Sequence, residues 1–116
     1  MSDLLARLKM TFDGKKYATE ERSTTIDIGG ADNEPVLDED GRVHTTEKLN
    51  PGMIKTTLLA TEGFKLRPVQ QMKNGTIIAQ GNNGLNYIMR NAKCGTAREI
   101  SGGKISATFY GNVEEM

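Results

Sequence analysis

The sequence predicts a mainly β fold: a β-sandwich or open barrel of six or seven short strands, with one short helix and a long protruding loop. Three observations carry that reading. Apolar and polar residues alternate over short runs, turn-forming Gly, Asn and Pro residues separate those runs, and one stretch alone has helical spacing. With 116 residues, 36% of them hydrophobic and no Trp, the chain forms one domain over residues 1–116, its core built from Ile, Leu, Met and Val.

The elements follow in order. Asp3 to Arg7 is a helical turn or an arm, too short to decide. Leu8, Met10 and Phe12 alternate with Lys9 and Thr11 into an Asp13-Gly14 turn, which reads as a first strand entering a hairpin. Ser23 to Ile28 places Thr24, Ile26 and Ile28 on one face, and Gly29-Gly30 then turns the backbone out of the sheet. Gly29 to Arg42 is acidic and poor in apolar residues. Hairpins close in two to five residues, and loops beyond about 12 to 15 residues are functional or disordered, so this loop is expected to be mobile alone and ordered by something outside the domain.

Val43 to Leu49 is a Thr-rich strand, Asn50-Pro51-Gly52 a turn, and Met53 to Leu59 a strand with Ile54, Thr56 and Leu58 on one side. Phe64, Leu66, Val69 and Met72 fall on one face of a helix placed at Pro68 to Lys73, since proline is tolerated in a first turn. Strands at Thr76 to Gln80, Leu85 to Ala92 and Lys104 to Tyr110 complete the sheet. Asn82-Asn83-Gly84 and Ser101-Gly102-Gly103 supply turns, and Val113 to Met116 reads as an exposed tail.

Formal net charge is zero, which argues against a protein that grips nucleic acid by neutralising phosphates. The zero hides an asymmetry: 11 acidic and 8 basic residues lie up to Leu58, and 4 acidic and 7 basic beyond it. Complementary halves favour self-association. The basic residues Lys65, Arg67, Arg90, Lys93 and Arg98 are expected to meet the acidic loop of a neighbouring copy. The single Cys94 excludes an internal disulfide and a multi-thiolate zinc site. Neither a signal peptide nor a membrane-spanning run is evident, so the chain reads as cytosolic when made, with no membrane insertion.

No catalytic constellation assembles. Cys94 and His44 lie on separate segments with nothing local to orient them. The acidic loop has oxygen ligands enough for calcium, but Arg42 and Val43 follow Gly41 where further ligands belong. The glycine pairs Gly29-Gly30 and Gly102-Gly103 lack the strand–glycine–helix setting of a phosphate cradle.

The order of motifs is more specific than any one of them. A strand into Asp13-Gly14, then Thr24-Thr25-Ile26-Asp27-Ile28-Gly29-Gly30, a long loop, Thr46-Glu47-Lys48 with Pro51-Gly52-Met53-Ile54, a short helix, a hairpin, and Ile105 to Gly111 after a Gly-rich turn together resemble the Mu-like family of phage tail tube proteins, over nearly the whole chain. The resemblance implies a structural subunit without enzymatic activity or cofactor. Such subunits join hexameric rings whose inner strands surround a channel, and the rings stack into the tube that conducts the genome. It also implies that the long loop, here with Gly29, Gly30, Asp32, Glu34, Asp38, Glu39, Asp40 and Arg42, reaches the adjacent ring. Implied partners are the chain itself, sheath, tape measure, baseplate and tail terminator proteins, and double-stranded DNA passing without sequence recognition. The implied place is a virion tail, contractile by analogy, assembled in the bacterial host cytoplasm.

A lining that lets DNA slide needs Thr, Asp and Glu rather than Arg and Lys. Thr25, Asp27, Thr45, Glu47 and Thr57 are the candidates, with Lys48 and Lys55 expected to pair with acids or turn toward a neighbour. Two alternatives stand beside this reading: the tube of a phage-tail-like bacteriocin or type VI secretion machine, and a stand-alone β-barrel module binding nucleic acid or a ligand.

Overall fold

The computed structural model describes residues 8–116; the segment Asp3 to Arg7 lies outside them. The described residues form β1 (Leu8–Phe12), β2 (Lys15–Lys16), β3 (Thr25–Asp27), β4 (Gly30–Leu37), β5 (Val43–Asn50), β6 (Gly52–Leu59), α1 (Leu66–Gln70), β7 (Gly75–Gly81), β8 (Asn86–Thr96) and β9 (Lys104–Glu115). They make a seven-stranded antiparallel sheet in the order β2-β1-β7-β8-β9-β6-β3, and a separate two-stranded sheet of β4 and β5.

The larger sheet closes on itself because its two edges belong to one stretch of chain. That stretch leaves β2 and reaches β6, where Thr19 bridges Leu58, Leu59 N–H donates to Ala18 O at 2.8 Å and Glu20 N–H donates to Thr57 O at 2.8 Å. Closure removes free ladder groups that would otherwise recruit other chains. Thr56 is 3% exposed, and its hydroxyl is matched by the Thr24 hydroxyl at 2.8 Å.

Alternation in β6 and β9 sends Ile54, Leu58, Ile105 and Phe109 inward, each at most 1% exposed. Phe109 packs against Phe12 with tilted rings, centroids 5.3 Å apart, Phe12 likewise against Tyr17 at 5.4 Å, and Tyr17 edge-on against Phe64 at 5.4 Å. These rings fill space that aliphatic side chains alone would leave void. Helix α1 plugs one side through Val69, and Met72 O accepts from Cys94 N–H at 3.0 Å. The helix begins two residues before its expected place, with Pro68 still in the first turn, where an N–H has no helical acceptor. The C-terminal tail is no loose end: Val113 to Glu115 pair with β8, Glu115 opposite Tyr87.

The main departure from the sequence reading is the long loop. Gly30–Leu37 is a strand, paired without a slip to Val43–Asn50. Its register continues that of the barrel, with Asp27 opposite Met53 and Gly30 opposite Asn50. Thus β3–β4 and β5–β6 are one antiparallel ribbon, half in the barrel and half free. At the break, Gly29 has φ +73°, and a Cβ there would stand 2.7 Å from Gly52 N and 2.9 Å from Asn50 O. Only glycine fits. The free half is an arm, and with it the molecule measures 64 × 39 × 26 Å and has a radius of gyration of 17.3 Å, against roughly 13 Å for a compact domain of this length.

Because barrel and arm differ so sharply in burial, substitutions separate them. Phe109→Ala should lower stability by about 3–5 kcal/mol, seen as a large fall in thermal midpoint. Leu49→Ala, at a residue 80% exposed, should leave the midpoint of the isolated subunit nearly unchanged.

Candidate assembly surfaces

The arm's shape is set at its tip. Asp38 N–H donates to Arg42 O at 3.0 Å and Gly41 N–H to Asp38 O at 3.0 Å, while Gly41 takes φ +80°, a tight turn followed by a left-handed glycine. The Asp38 carboxylate locks it: Oδ1 accepts from Asp40 N–H and Arg42 N–H, each at 2.9 Å, and Oδ2 meets His44 Nε2 at 2.8 Å. The His44 contact first, then the Arg42 N–H, hold the Asp38 carboxyl below its ordinary value of 3.8. The sequence reading treated Asp38 as one acid among several; here it organises the turn, while Glu39 and Asp40 point their charge outward.

Both faces of the arm are open to solvent. Register puts Ala31, Asn33, Pro35 and Leu37 on one face with Val43, Thr45, Glu47 and Leu49, and Asp32, Glu34 and Val36 on the other with His44, Thr46 and Lys48. Leu37, Val43 and Leu49 are 68%, 65% and 80% exposed. An isolated two-stranded ribbon with such side chains in water is a surface built to be covered. Asp32 accepts from Asn50 Nδ2 at 2.7 Å, steadying the root.

A second surface lies on the barrel's outer face. Since even-numbered residues of β6 point inward, the odd-numbered ones form rows across the neighbouring strands: Thr25, Lys55, Thr108 and Thr96; Asp27, Met53, Tyr110 and Lys93; Thr57 and Ser106. This face is rich in hydroxyls. It unites Thr25, Asp27 and Thr57, whereas Thr45 and Glu47 lie on the arm. Thr96, Ser106 and Thr108 were missed in the sequence, though the alternation of Ser106 and Thr108 with Ile105, Ala107 and Phe109 marks them. Lys55 stands in the middle with no acid in ion-pair range, and Lys48 has none either among the described residues. The pairing considered for these two lysines does not form within the subunit. Tyr110 lies flat over Gly95, where a Cβ would stand 2.4 Å from the ring.

The basic residues spread over several sites. Lys65 flanks α1 and Arg67 lies within it, donating to Gln70 at 2.8 Å. Arg90 pairs with Glu114 at 3.7 Å, both well exposed, a contact worth little in water. Lys93 ends the Asp27 row on the outer face. Arg98 borders a depression of about 520 Å³ at the far end of β6 and β9, with Thr57, Thr96, Ser101, Lys104 and Ser106. There Lys104 Nζ meets Glu20 Oε1 at 3.2 Å.

The residues weighed for other chemistry lie apart. His44 is on the arm, bound to Asp38, and Cys94 is on the barrel, where burial pushes its thiol up and disfavours the nucleophilic thiolate. Among the described residues no group of three or more His, Cys, Asp or Glu could hold a metal ion. None of the described helices is long and apolar enough to cross a membrane.

Residues 1–115 match the model of the family described as phage tail tube protein. No curated protein matches the chain. Among solved structures, one reported as the sheath/tube terminator of an extracellular contractile injection system, PVC, in the extended state superposes with a TM-score of 0.72 at 12% identity, covering 95% of this chain and 93% of that one. Hcp1 from Flavobacterium johnsoniae superposes with a TM-score of 0.50 at 14% identity, covering 97% and 94%. At such identities the likeness is one of fold.

The Asp38 turn carries a pH dependence. Its folded value is lowered, so the stabilisation is complete above the ordinary carboxylate value and is lost as pH falls through the depressed one. The acid-induced shift of the Asp40 and Arg42 amide resonances should therefore have its midpoint below the ordinary carboxylate value. In Asp38→Ala they should exchange faster with solvent at every pH, while barrel amides do not change.

Proposed function

The chain belongs to the phage tail tube protein family, and from that premise we propose that it is the repeating subunit of a tail tube, closing into six-membered rings that stack around a DNA-conducting channel. The observation that carries this reading is the arm: a ribbon anchored in a closed barrel, solvated on both faces, with apolar side chains that only another molecule can cover. The role is structural, with no reaction to catalyse and no cofactor to bind.

The hydroxyl-rich outer face of β3, β6, β9 and β8 supplies the channel lining. Threonine and serine offer weak hydrogen bonds to a passing backbone and no fixed cationic grip, so a duplex can slide. Asp27 adds local repulsion for phosphate. Lys55, isolated among hydroxyls, gives each ring a sparse set of positive points rather than a continuous basic track. Thr45 and Glu47 contribute through the arm, and the same arm bears the contacts between rings. Sheath, tape measure, baseplate and terminator proteins are the further partners this role requires, in the tail of a virion assembled in the host cytoplasm.

Negative-stain microscopy of the purified protein tests the reading: rings or stacked tubes are expected, and small monodisperse particles at high concentration would refute it. Thr25→Cys, labelled with a gold cluster before assembly, should place density inside the channel. Label at Lys73→Cys should appear outside it. Replacing residues 31–49 with a tight turn should leave the barrel's thermal midpoint within a few degrees of the parent and abolish tubes; normal filaments from that variant would take the arm out of the mechanism.

A further inference from the structure

We infer that Asn83, in the turn between β7 and β8, is a site of self-modification, where the chain's own Gly84 nitrogen displaces the side-chain amide and an acid is left in its place. The sequence holds two Asn-Gly pairs, Asn74-Gly75 and Asn83-Gly84. Glycine after asparagine offers the least crowded main-chain nitrogen, so composition alone does not choose between them. The fold chooses. In the reaction, Gly84 N gives its proton to solvent base and forms a bond to Asn83 Cγ, while the Cγ–Nδ2 bond breaks and Nδ2 takes a proton from water and leaves as ammonia. Water then opens the five-membered imide at either carbonyl, which yields aspartate or isoaspartate.

Gly81 N–H donates to Leu85 O at 2.8 Å, Gly84 N–H donates to Gly81 O at a long 3.4 Å, and Gly84 takes φ +89°, a tight turn closed by a left-handed glycine. The attacking nitrogen is thus weakly held. Its residue is exposed, with nothing within 4 Å of a Cβ built there. Asn83 Oδ1 accepts from Leu85 N–H at 3.2 Å, a bond that folds the side chain back over residue 84 and puts a donor where negative charge develops on Oδ1 as the nitrogen adds. Asn74 has the opposite surroundings. Gly75 is buried and paired opposite Ala92, and a Cβ there would stand 2.6 Å from Met72 Cγ. Just beyond it Thr76 N–H donates to Asp13 Oδ1 at 2.7 Å and Asp13 N–H to Thr76 O at 2.8 Å, so the backbone is clamped and water is kept off. Each event at Asn83 takes a chain of zero net charge to −1. Isoaspartate also adds a methylene to the main chain of the turn, which frays the ladder at Gln80 opposite Asn86.

The test is to incubate the folded chain at mildly alkaline pH, digest it in mild acid and locate new acid by tandem mass spectrometry, with the same chain in denaturant as reference. In denaturant both sites precede glycine and should react at comparable rates. In the folded chain acid should build up at Asn83 about tenfold or more faster than at Asn74, still below the 10²–10³ that one oxyanion donor carries in an enzyme. The product peptide should elute as two peaks of equal mass, aspartate and isoaspartate. Asn83→Ser should melt like the parent and accumulate the acidic form on ion exchange far more slowly. A folded ratio above the denatured one supports the inference. A folded ratio no larger than the denatured one, or an acidic form appearing in Asn83→Ser at the parental rate, would overturn it, and neither result bears on the tube reading.

Discussion

Everything in this molecule depends on one antiparallel ladder that is asked to live in two environments. Between Thr25–Asp27 and Met53–Lys55 the ladder is backed by the barrel, where Ile54 is 1% exposed. Between Gly30–Leu37 and Val43–Asn50 it has water on both sides. A two-stranded ribbon alone in water is marginal because its hydrogen bonds replace equally good ones to solvent while the backbone loses its freedom. The barrel half removes most of that entropic cost by fixing the ends at the root. The Asp38 turn fixes them again at the tip. The arm is therefore preorganised, and docking it need not order a loop from scratch.

That preorganisation sets the balance between subunit and assembly. Leu37, Val43 and Leu49 on the arm, each at least 65% exposed, add nothing to the fold of one copy and become favourable only when covered, at about 25 cal/mol per Å². Stability of the subunit resides in buried residues such as Phe12, Ile77 and Phe109, whereas on the proposed reading the strength of the tube resides in Leu37, Val43 and Leu49. Residues 30–50 hold 6 acidic and 2 basic residues against 9 acidic and 13 basic elsewhere, so arm meeting arm is repelled.

How much of this was legible in the sequence depends on whether a face is buried. The strands at Met53–Leu59 and Lys104–Tyr110 could be read because Ile54, Leu58, Ile105 and Phe109 alternate with polar residues against a core. The strand Gly30–Leu37 could not be read, because both its faces meet water and its Gly, Asp, Asn and Pro residues are those depleted from strands. No periodicity survives where there is no inside. The Asp-Glu-Asp-Gly turn was present as a signal, but without a recognised strand before it the signal merged into a loop. The continuation of β9 to Glu115 was hidden for the same reason, since only Val113 there reaches the core. Of the candidate assembly residues, Thr25, Asp27 and Thr57 share one face because parity is a local property, whereas Arg90 and Lys93, of opposite parity, come to one face only through a bulge in β8 near Asn91. A one-residue bulge reverses which side chains face outward, and nothing in the pattern announces it.

An exposed ribbon also invites the wrong partner. Its outer edges carry unpaired backbone groups, and two arms could zip edge to edge into an unproductive sheet. The composition that obscured β4 is what guards against this. Pro35 has no N–H to offer a neighbouring strand, and Asp32 and Glu34 would face their own likenesses across such a seam. Charge on β4 and proline in its middle lower strand propensity, a local loss made good by the register imposed from the barrel. A more strand-like sequence would have made a firmer arm and a poorer subunit. The sequence is acidic and ambiguous here because the arm must remain a strand without being a template for strands, and only an anchored ladder can satisfy both demands.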